Sequence, residues 1–332
     1  PADDAVMWPL SAVKTAEELM RSQPLEAVIS TFPPVNTHLT ASILHARHQI
    51  PWIADFRDPL AANPFRKLTG FPGVVDTMLE RRFFRQSSST LAVSDVVCED
   101  WKARYPQYAS KFHLLWNGYD PEEDITALPL PPRSKRVISH VGSLYGSRNP
   151  TPLLSSLDRL MERGRVASGS ACFRLVGELD KRIAATNSEL FERLERRGSL
   201  ELVPNMPRAQ ALDELRLSDY LFLVDISERK GYTVPAKIFE YLRVGRPILT
   251  YTDEGSPVDR ILAGSGVPSV VVYRDEPGDS VDQKVESFLQ LSTEPRETSE
   301  WFRDQFDGRR QTAALAKILE ESIRRSPRAA RT

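Results

Sequence analysis

The feature that most constrains the fold of this 332-residue chain is a repeated alternation of short apolar runs and longer segments of helical periodicity. Ten apolar runs are candidate strands, at 27–30, 52–54, 90–93, 113–115, 137–140, 173–176, 200–203, 220–224, 248–250 and 270–272. Candidate helices lie between them, among others at 39–47, 73–85, 152–163, 187–196, 208–215 and 236–244. Because the runs do not alternate polar and apolar residues, they predict strands buried on both faces, as in parallel sheets. The sequence therefore predicts an α/β protein with doubly wound sheets.

The length of the chain and a proline-rich segment predict two domains. The segment at 120–134 contains PEED and LPLPPR, and proline at this density continues neither a helix nor a central strand. We predict a first domain at 1–122, a linker at 123–135, a second domain at 136–300, a last helix at 301–325 that packs on the first domain, and a tail at 326–332. The first domain holds four of the ten candidate strands, so we expect its opening strands to be missing from the chain.

Composition narrows the classes of partner and the compartment. Lys and Arg number 44 against 45 Asp and Glu, and this balance predicts no nucleic-acid partner. The two cysteines, Cys98 and Cys172, have the spacing of neither a zinc site nor a disulfide framework, so we expect buried thiols in a cytoplasmic protein. No apolar run approaches the roughly 18 residues of a membrane-spanning helix. No cluster of ligand-type residues in the second domain indicates a metal site.

The segment VPAKIFEYLRVGRPIL, residues 234–249, is the strongest candidate for a ligand site. Lys237, Glu240 and Tyr241 are spaced i, i+3, i+4 and therefore share one face of a predicted helix. A lysine beside a helix N-terminus suits a phosphate, and a glutamate one turn further can accept two hydrogen bonds from a ribose. The alternative is an ordinary amphipathic helix with its apolar residues turned inward.

A glycine-rich loop, SHVGSLYGSRNP at 139–150, follows the first strand of the second domain. Gly142, with Ser143 beside it, permits close approach of the backbone to a phosphate. Arg148 lies where the loop enters a helix and could neutralise a diphosphate in a bidentate manner. Many strand-to-helix turns contain glycine, so a glycine-rich loop alone is a weak signal. Its position after the first strand of the second domain strengthens the prediction of a phosphate site.

In the first domain, polar side chains directly follow an apolar run in PWIADFRDPL, residues 51–60. Asp55, Arg57 and Asp58 are placed at the carboxyl end of a predicted parallel strand, where such sheets bind ligands. The alternative is a loop whose arginine and aspartates neutralise one another. His38, near the start of another helix, either faces a cleft or is solvated.

In combination and in this order, several segments resemble the family 4 glycosyltransferases of the GT-B fold. The matching pieces are ISTFPP, PWIADFRDPL, LAVSD, LLWNGYD, HVGSLYGSRNP, FRLVGE, LSDYLFLV and VPAKIFEYLRVGRPIL. The resemblance implies two Rossmann-like domains facing a cleft, with the nucleotide-sugar on the second and the acceptor on the first.

The resemblance also assigns roles to the candidate residues. It implies that Arg148 and Lys237 contact the donor diphosphate, that Glu240 holds the ribose, and that Asp55, Arg57 and Asp58 face the transferred sugar. One position departs from the family pattern: the first of its paired glutamates would stand eight residues before Glu240, where this chain has Tyr232. Its role is then lost or taken by Glu228.

The implied function is transfer of a sugar from a nucleoside-diphosphate-sugar to a hydroxyl in surface-polysaccharide or glycolipid assembly. The implied reaction is retaining and metal-independent and uses no cofactor, since the nucleotide-sugar is the donor substrate. Two alternatives remain: a non-catalytic nucleotide-sugar-binding or assembly subunit, and a sugar-nucleotide epimerase of similar architecture.

The resembling subgroup uses lipid-linked acceptors, which implies peripheral contact with the inner face of the cytoplasmic membrane. Aromatic and cationic residues mix along 65–85, as in an interfacial segment. They are Phe65, Arg66, Lys67, Phe71, Arg81, Arg82, Phe83, Phe84 and Arg85. The alternative is a helix with a buried aromatic face.

Overall fold

The computed structural model describes residues 8–61, 63, 70–227 and 229–326. Contacts divide the chain into two compact units. Unit 1 comprises Pro1–Asn117 with Gly308–Thr332, and unit 2 comprises Gly118–Asp307.

Unit 1 is built on a four-stranded parallel sheet. Its strands are β1 (Val28–Phe32), β2 (Trp52–Phe56), β3 (Ser89–Ala92) and β4 (Phe112–Leu114), in the spatial order β1-β2-β3-β4. Its α-helices are α1 (Trp8–Ser22), α2 (Val35–His48), α3 (Phe71–Gln86), α4 (Asp95–Arg104) and, from the end of the chain, α13 (Gly308–Arg324). A short 3-10 helix, Pro106–Lys111, precedes β4.

Aromatic residues fill the core of unit 1. Phe56 of β2 packs edge-on against Phe84 of α3 and Trp101 of α4, with ring centroids 5.5 and 5.3 Å apart. Such edge-to-face contacts add to the free energy that burial of these large rings contributes. All five residues of β2 are buried, which explains its apolar start at Trp52–Ala54, although its fourth residue is Asp55.

Unit 2 contains a six-stranded parallel sheet. Its strands are β5 (Arg136–Val141), β6 (Ala171–Val176), β7 (Leu200–Val203), β8 (Tyr220–Asp225), β9 (Ile248–Thr252) and β10 (Ser269–Tyr273). Its helices are α5 (Thr151–Glu162), α6 (Lys181–Thr186), α7 (Ser188–Arg196), α8 (Arg208–Arg216), α9 (Lys237–Val244), α10 (Pro257–Ser265), α11 (Gly278–Phe288) and α12 (Glu300–Phe306).

The spatial order β10-β9-β8-β5-β6-β7 makes this sheet doubly wound. The chain proceeds from β5 outward to β7, crosses back to β8, and then proceeds outward to β10 on the other side. Loops that leave β5 and β8 therefore diverge, and a crevice at such a switch point is where open α/β sheets bind ligands. The topology therefore predicts a ligand site at the carboxyl end of β5.

All ten predicted strands are present, each within two residues of its predicted bounds. The single predicted last helix is two helices, because the chain turns between α12 and α13 at Asp307. Helix α12 belongs to unit 2, whereas α13 belongs to unit 1, where its partly buried Leu315, Ile318 and Leu319 pack near Ile53 of the sheet. The N-terminal helix α1 has no counterpart among the predicted elements.

The proline-rich segment is tied to unit 2 by arginine side chains. Arg243 and Arg246 donate hydrogen bonds of 2.7 Å to the carbonyl oxygens of Glu123 and Leu128. These contacts satisfy carbonyl groups that an extended, proline-rich chain cannot pair within a sheet. None of the described helices has both the length and the apolar character needed to cross a bilayer.

Candidate functional site

Two glycines bring the loops after β5 and β6 into contact in unit 2. Gly142 follows β5 with φ +122°, and Gly177 follows β6 with φ +126°. A Cβ atom on Gly177 would lie 2.8 Å from the carbonyl carbon and oxygen of Gly142, so no larger residue fits without a shift of backbone. The Gly142 amide donates a 2.7 Å hydrogen bond to the carbonyl of Val176. Together these contacts fix the backbone of the predicted phosphate loop at the switch point.

Lys237 occupies the space that a side chain at position 142 would take. A Cβ atom built on Gly142 would lie 2.5 Å from Lys237 Nζ. The lysine begins helix α9, whose left-handed C-cap is Gly245 at φ +78°. The half-buried Ser143 follows Gly142 in the loop. The structure thus brings together Gly142 and Lys237, which are 95 positions apart in sequence, and places Ser143 next to them.

Burial weakens the hold of Lys237 on its proton. The pKa of Lys237 is lowered to about 8, first by desolvation and then by the positive charge of Arg148, while the charge of Glu240 opposes the shift. Its Nζ lies 3.1 Å from Nε2 of His140, a buried residue of β5 that the sequence analysis left without a role. An anionic ligand at this position would stabilise the charged form of the lysine.

Arg148 lies in the same loop and contacts the exposed ring of Tyr145. Its Nη1 donates a 3.0 Å hydrogen bond to the Tyr145 hydroxyl, and its guanidinium lies 5.3 Å from the centre of the ring. Arg148 is also close enough to Asp225, at the end of β8, to affect its titration. Burial raises the pKa of the Asp225 carboxyl to about 7, and the charge of Arg148 opposes that rise. Two cations therefore belong to this region of unit 2: Lys237 of α9, beside Gly142, and Arg148 of the loop, whose charge acts on Lys237 and Asp225.

Tyr241 does not contact the solvent-accessible part of the site, contrary to its assignment as a ligand-binding residue. Its side chain is fully buried, and its hydroxyl accepts a 2.8 Å hydrogen bond from the amide of Val141 while lying 3.3 Å from the carbonyl of the same residue. Burial is the main cause that raises its pKa. The i, i+4 spacing to Lys237 is correct for one face, but that face is turned toward the end of β5. Tyr241 therefore connects α9 to the loop that begins at Gly142.

Glu240 lies half-buried in the first turn of α9 and forms an ion pair with Arg208 of α8. The distance between Arg208 Nη1 and Glu240 Oε1 is 3.0 Å, and Arg208 also donates to both carboxylate oxygens of Glu123. Because Arg208 is 62% exposed, this pair is of the kind that contributes little to stability and can be exchanged for another partner. The Glu240 carboxylate remains available to hydroxyl groups that displace the arginine.

Tyr232, at the position where the resemblance implied a glutamate, is buried, and the guanidinium of Arg229 lies 5.4 Å from the centre of its ring. A buried tyrosine cannot provide the carboxylate that a glutamate would provide at this position. Glu228, the suggested substitute, lies outside the described residues.

Of the three candidate residues of unit 1, Asp55 lies within β2, near its carboxyl end, and Arg57 and Asp58 follow it; Asp55 and Arg57 are part of a hydrogen-bonded group. Asp55 Oδ2 accepts hydrogen bonds from Arg57 Nε at 2.9 Å and from the Thr31 hydroxyl at 3.1 Å. Arg57 Nη1 donates to Asn117 Oδ1 at 2.9 Å, which adds a residue to which the sequence analysis gave no role. Asp58 is half-buried in the same loop. The arrangement is a polar patch at the carboxyl ends of β1 and β2.

His38 is neither solvated nor directed into a cleft. Its ring is fully buried against Phe56 and Phe83, with centroids 4.4 and 5.4 Å away, and its Nδ1 lies 2.8 Å from the Ser30 hydroxyl. Burial lowers the pKa of His38 to about 3, so the ring is neutral at physiological pH. It is a core residue of unit 1.

The proposed interfacial segment is divided by the structure. Phe65, Arg66 and Lys67 lie outside the described residues. Phe83 and Phe84 are fully buried in the core, so for these two residues the alternative of a buried aromatic face is the correct one. Exposed residues remain on one stripe of α3: Phe71, Val74, Met78, Arg81, Arg82 and Arg85.

Three polar residues of unit 2 were missed by the sequence analysis. His140 and Asp225 lie at the ends of otherwise apolar strands, and Arg208 begins a helix whose charges look like those of any solvated face. A polar residue at the carboxyl end of a central parallel strand is a signal that could have identified the first two. Among the described residues, no group of three or more His, Cys, Asp or Glu is arranged to hold a metal ion.

The chain is similar to known proteins in its structure, whereas its sequence matches none. No family model matches the sequence, and no curated protein matches it. Similar solved structures include HepE of Anabaena in complex with UDP, with a TM-score of 0.65 and 13% identity over 94% of this chain and 82% of that one. A glycosyltransferase from Rickettsia africae gives a TM-score of 0.68 and 14% identity over 96% of this chain and 82% of that one.

The UDP-GlcNAc 2-epimerase of Methanocaldococcus jannaschii is also similar, with a TM-score of 0.54 and 11% identity over 94% of this chain and 82% of that one. At such low identity these similarities show the fold alone. The chain has the GT-B fold, as the sequence analysis predicted.

Proposed function

We propose that this protein is a glycosyltransferase that moves a sugar from a nucleoside-diphosphate-sugar to a hydroxyl acceptor. The observation that carries the proposal is the pair of cations at the switch point of unit 2. Lys237 Nζ lies against Gly142, and Arg148 follows in the same loop. A diphosphate is the ligand whose charge and size suit two cations and a glycine backbone.

The two cations would act on the leaving group. In the reaction, the bond between the anomeric carbon and the diphosphate oxygen breaks, a bond to the acceptor oxygen forms, and the acceptor proton is passed to the leaving diphosphate. Negative charge grows on the diphosphate as its bond breaks, and pre-positioned cations stabilise that charge. Glu240 would accept hydrogen bonds from the ribose after exchange with Arg208. The HepE structure contains UDP, which makes uridine nucleotides the first to test.

Asp55, Arg57 and Asp58 of unit 1 are proposed to serve the acceptor side. The Arg57 guanidinium is bonded to both Asp55 and Asn117, which fixes the direction of the Asp55 carboxylate. Retention of configuration, independence of metal, and a role at the cytoplasmic membrane in polysaccharide or glycolipid assembly follow from the resemblance and belong to the same proposal.

A second candidate function is favoured by the similarity to the epimerase. A third, a binding subunit without catalysis, is favoured by Tyr232 at the position of a glutamate. We expect purified protein to release nucleoside diphosphate from a UDP-, ADP- or GDP-sugar when hydroxyl acceptors are present and at a far lower rate without them. An epimeric sugar nucleotide formed without acceptor supports the epimerase, and tight binding without either product supports the subunit.

A further inference from the structure

A histidine lies buried beneath the proposed donor loop. His140 is the penultimate residue of β5, in the centre of the unit 2 sheet, and is 1% exposed. Its Nδ1 lies 3.0 Å from the carbonyl oxygen of Phe222 in β8, and its Nε2 lies 3.1 Å from Lys237 Nζ. Strand β8 thus holds one edge of the ring, and the other edge meets the donor-site lysine.

These partners determine where the single proton of the ring lies. A carbonyl oxygen can only accept, so Nδ1 must carry the hydrogen that is donated to Phe222. Nε2 then presents its lone pair to Lys237, whose ammonium can only donate. A second proton on the ring would place two cations in contact. Burial, followed by the charges of Lys237 and Arg148, lowers the pKa of His140 well below its usual value, although interactions with the backbone of Phe222 and Gly142 oppose the shift.

The hydrogen bond from Lys237 to His140 holds a lysine whose charged form few other groups stabilise. Of the described charged or titratable groups, His140 faces Lys237 from β5, Arg148 from the following loop, and Glu240 from the lysine's own helix. Arg148 opposes the positive charge, and Glu240 is already paired with Arg208. Nε2 of His140 is therefore an acceptor within hydrogen-bonding distance that stabilises the ammonium group beside Gly142.

We propose that His140 is a positioning residue of the donor site: its neutral ring holds the Lys237 ammonium over Gly142, where the diphosphate of a nucleotide binds. This role presupposes the donor site of the proposed function. Because the bound diphosphate requires the charged lysine, nucleotide affinity is greatest below the pKa of Lys237 and falls as the pH rises through it. Above that pH, binding must take up a proton.

The first test reads Lys237 directly and needs no ligand. In the whole chain with ¹³C-labelled lysine, NMR follows the titration of Lys237, assigned by loss of its signal in Lys237→Met. We expect His140→Phe to lower the titration midpoint by about one unit, because the acceptor that favours the charged form is gone. His140→Gln, whose amide oxygen can accept from the lysine, should restore most of the shift.

The second test measures UDP binding by calorimetry from pH 6.5 to 9, in two buffers of different ionisation enthalpy. We expect the wild type to take up a proton on binding above pH 8, His140→Phe to bind about twofold more weakly at pH 7 and about tenfold more weakly at pH 9, and His140→Gln to lie between them. His113→Phe, the same exchange in β4 of unit 1, is the matched control and should bind UDP as the wild type does. Thermal unfolding checks that each variant is folded.

The outcomes separate the two proposals. An unchanged Lys237 midpoint in folded His140→Phe overturns the positioning role, whether or not a nucleotide binds. A shifted midpoint without any binding of UDP, ADP or GDP by the wild type supports the hydrogen bond to Lys237 but overturns the donor site.

Discussion

Keeping the Lys237 ammonium charged at the end of β5 costs free energy. Burial and Arg148 lower the pKa of Lys237 to about 8, so keeping its proton at neutral pH requires free energy that an exposed lysine does not. Gly142 and Gly177 likewise adopt backbone angles that other residues rarely adopt. Local features that disfavour stability in this way are concentrated at functional sites. These properties of Lys237, Gly142 and Gly177 support the proposed anion site in unit 2.

Two substitutions should separate ground-state binding from stabilisation of the transition state. Glu240→Gln should raise KM with kcat little changed, because ribose hydroxyl groups contribute equally before and during bond breaking. Arg148→Ala should lower kcat by roughly a hundredfold or more, because its charge matters most as the diphosphate departs. Steady-state kinetics with a nucleotide-sugar and an acceptor measures both.

Arg196→Ala is the matched control for the arginine, since Arg196 is exposed on α7 and bonds only locally, to the Glu192 carbonyl. It should leave both constants unchanged. If Arg148→Ala retains kcat within about twofold of the wild type, Arg148 is not the cation of the leaving group.

At the scale of elements, the strands could be predicted and the details of the site could not. Strands buried on both faces are apolar along most of their length, so β2 and β8 are visible as apolar runs, each with one aspartate near its carboxyl end. The helix face of Tyr241 was ambiguous, because i, i+4 spacing shows which residues share a face but not what that face meets. The break between α12 and α13 was missed because the apolar residues of each segment, taken separately, recur at helical spacing.

Helix α3 carries the prediction about membranes. Phe71, Val74 and Met78 are exposed by 81%, 55% and 66%, on the same stripe as three exposed arginines. We expect the wild type to float with anionic liposomes at low salt, and Phe71→Asp with Met78→Asp to lower bound protein by more than about tenfold, because two apolar side chains no longer enter the interface.

Leu19→Asp is the control, since Leu19 is 58% exposed on α1 of the same unit. It should leave flotation unchanged. Wild-type protein that stays wholly in the soluble fraction, or equal loss in the control, contradicts a membrane-binding face on α3.

For the whole molecule, the sequence predicted the fold class from its alternation of strands and helices, and structural comparison bears this out. It also marked Gly142 and Lys237, which the doubly wound topology brings together. It could not reveal the His140–Lys237 contact or the Arg208–Glu240 pair, because both depend on side chains from elements that are far apart in sequence. Such long-range polar contacts leave no periodic pattern in the chain.

The most direct test of the account uses unit 2 by itself. Because Gly142, Arg148, Lys237 and Glu240 all lie within Gly118–Asp307, residues 118–307 should bind a nucleoside diphosphate without the rest of the chain. Calorimetric titration with UDP, ADP and GDP measures this, with the Lys237→Met fragment as control. We predict one site for at least one of the three nucleotides and at least about tenfold weaker binding by the control. A folded fragment that binds none of them at about millimolar concentration, the weak limit of specific recognition, would contradict the donor site.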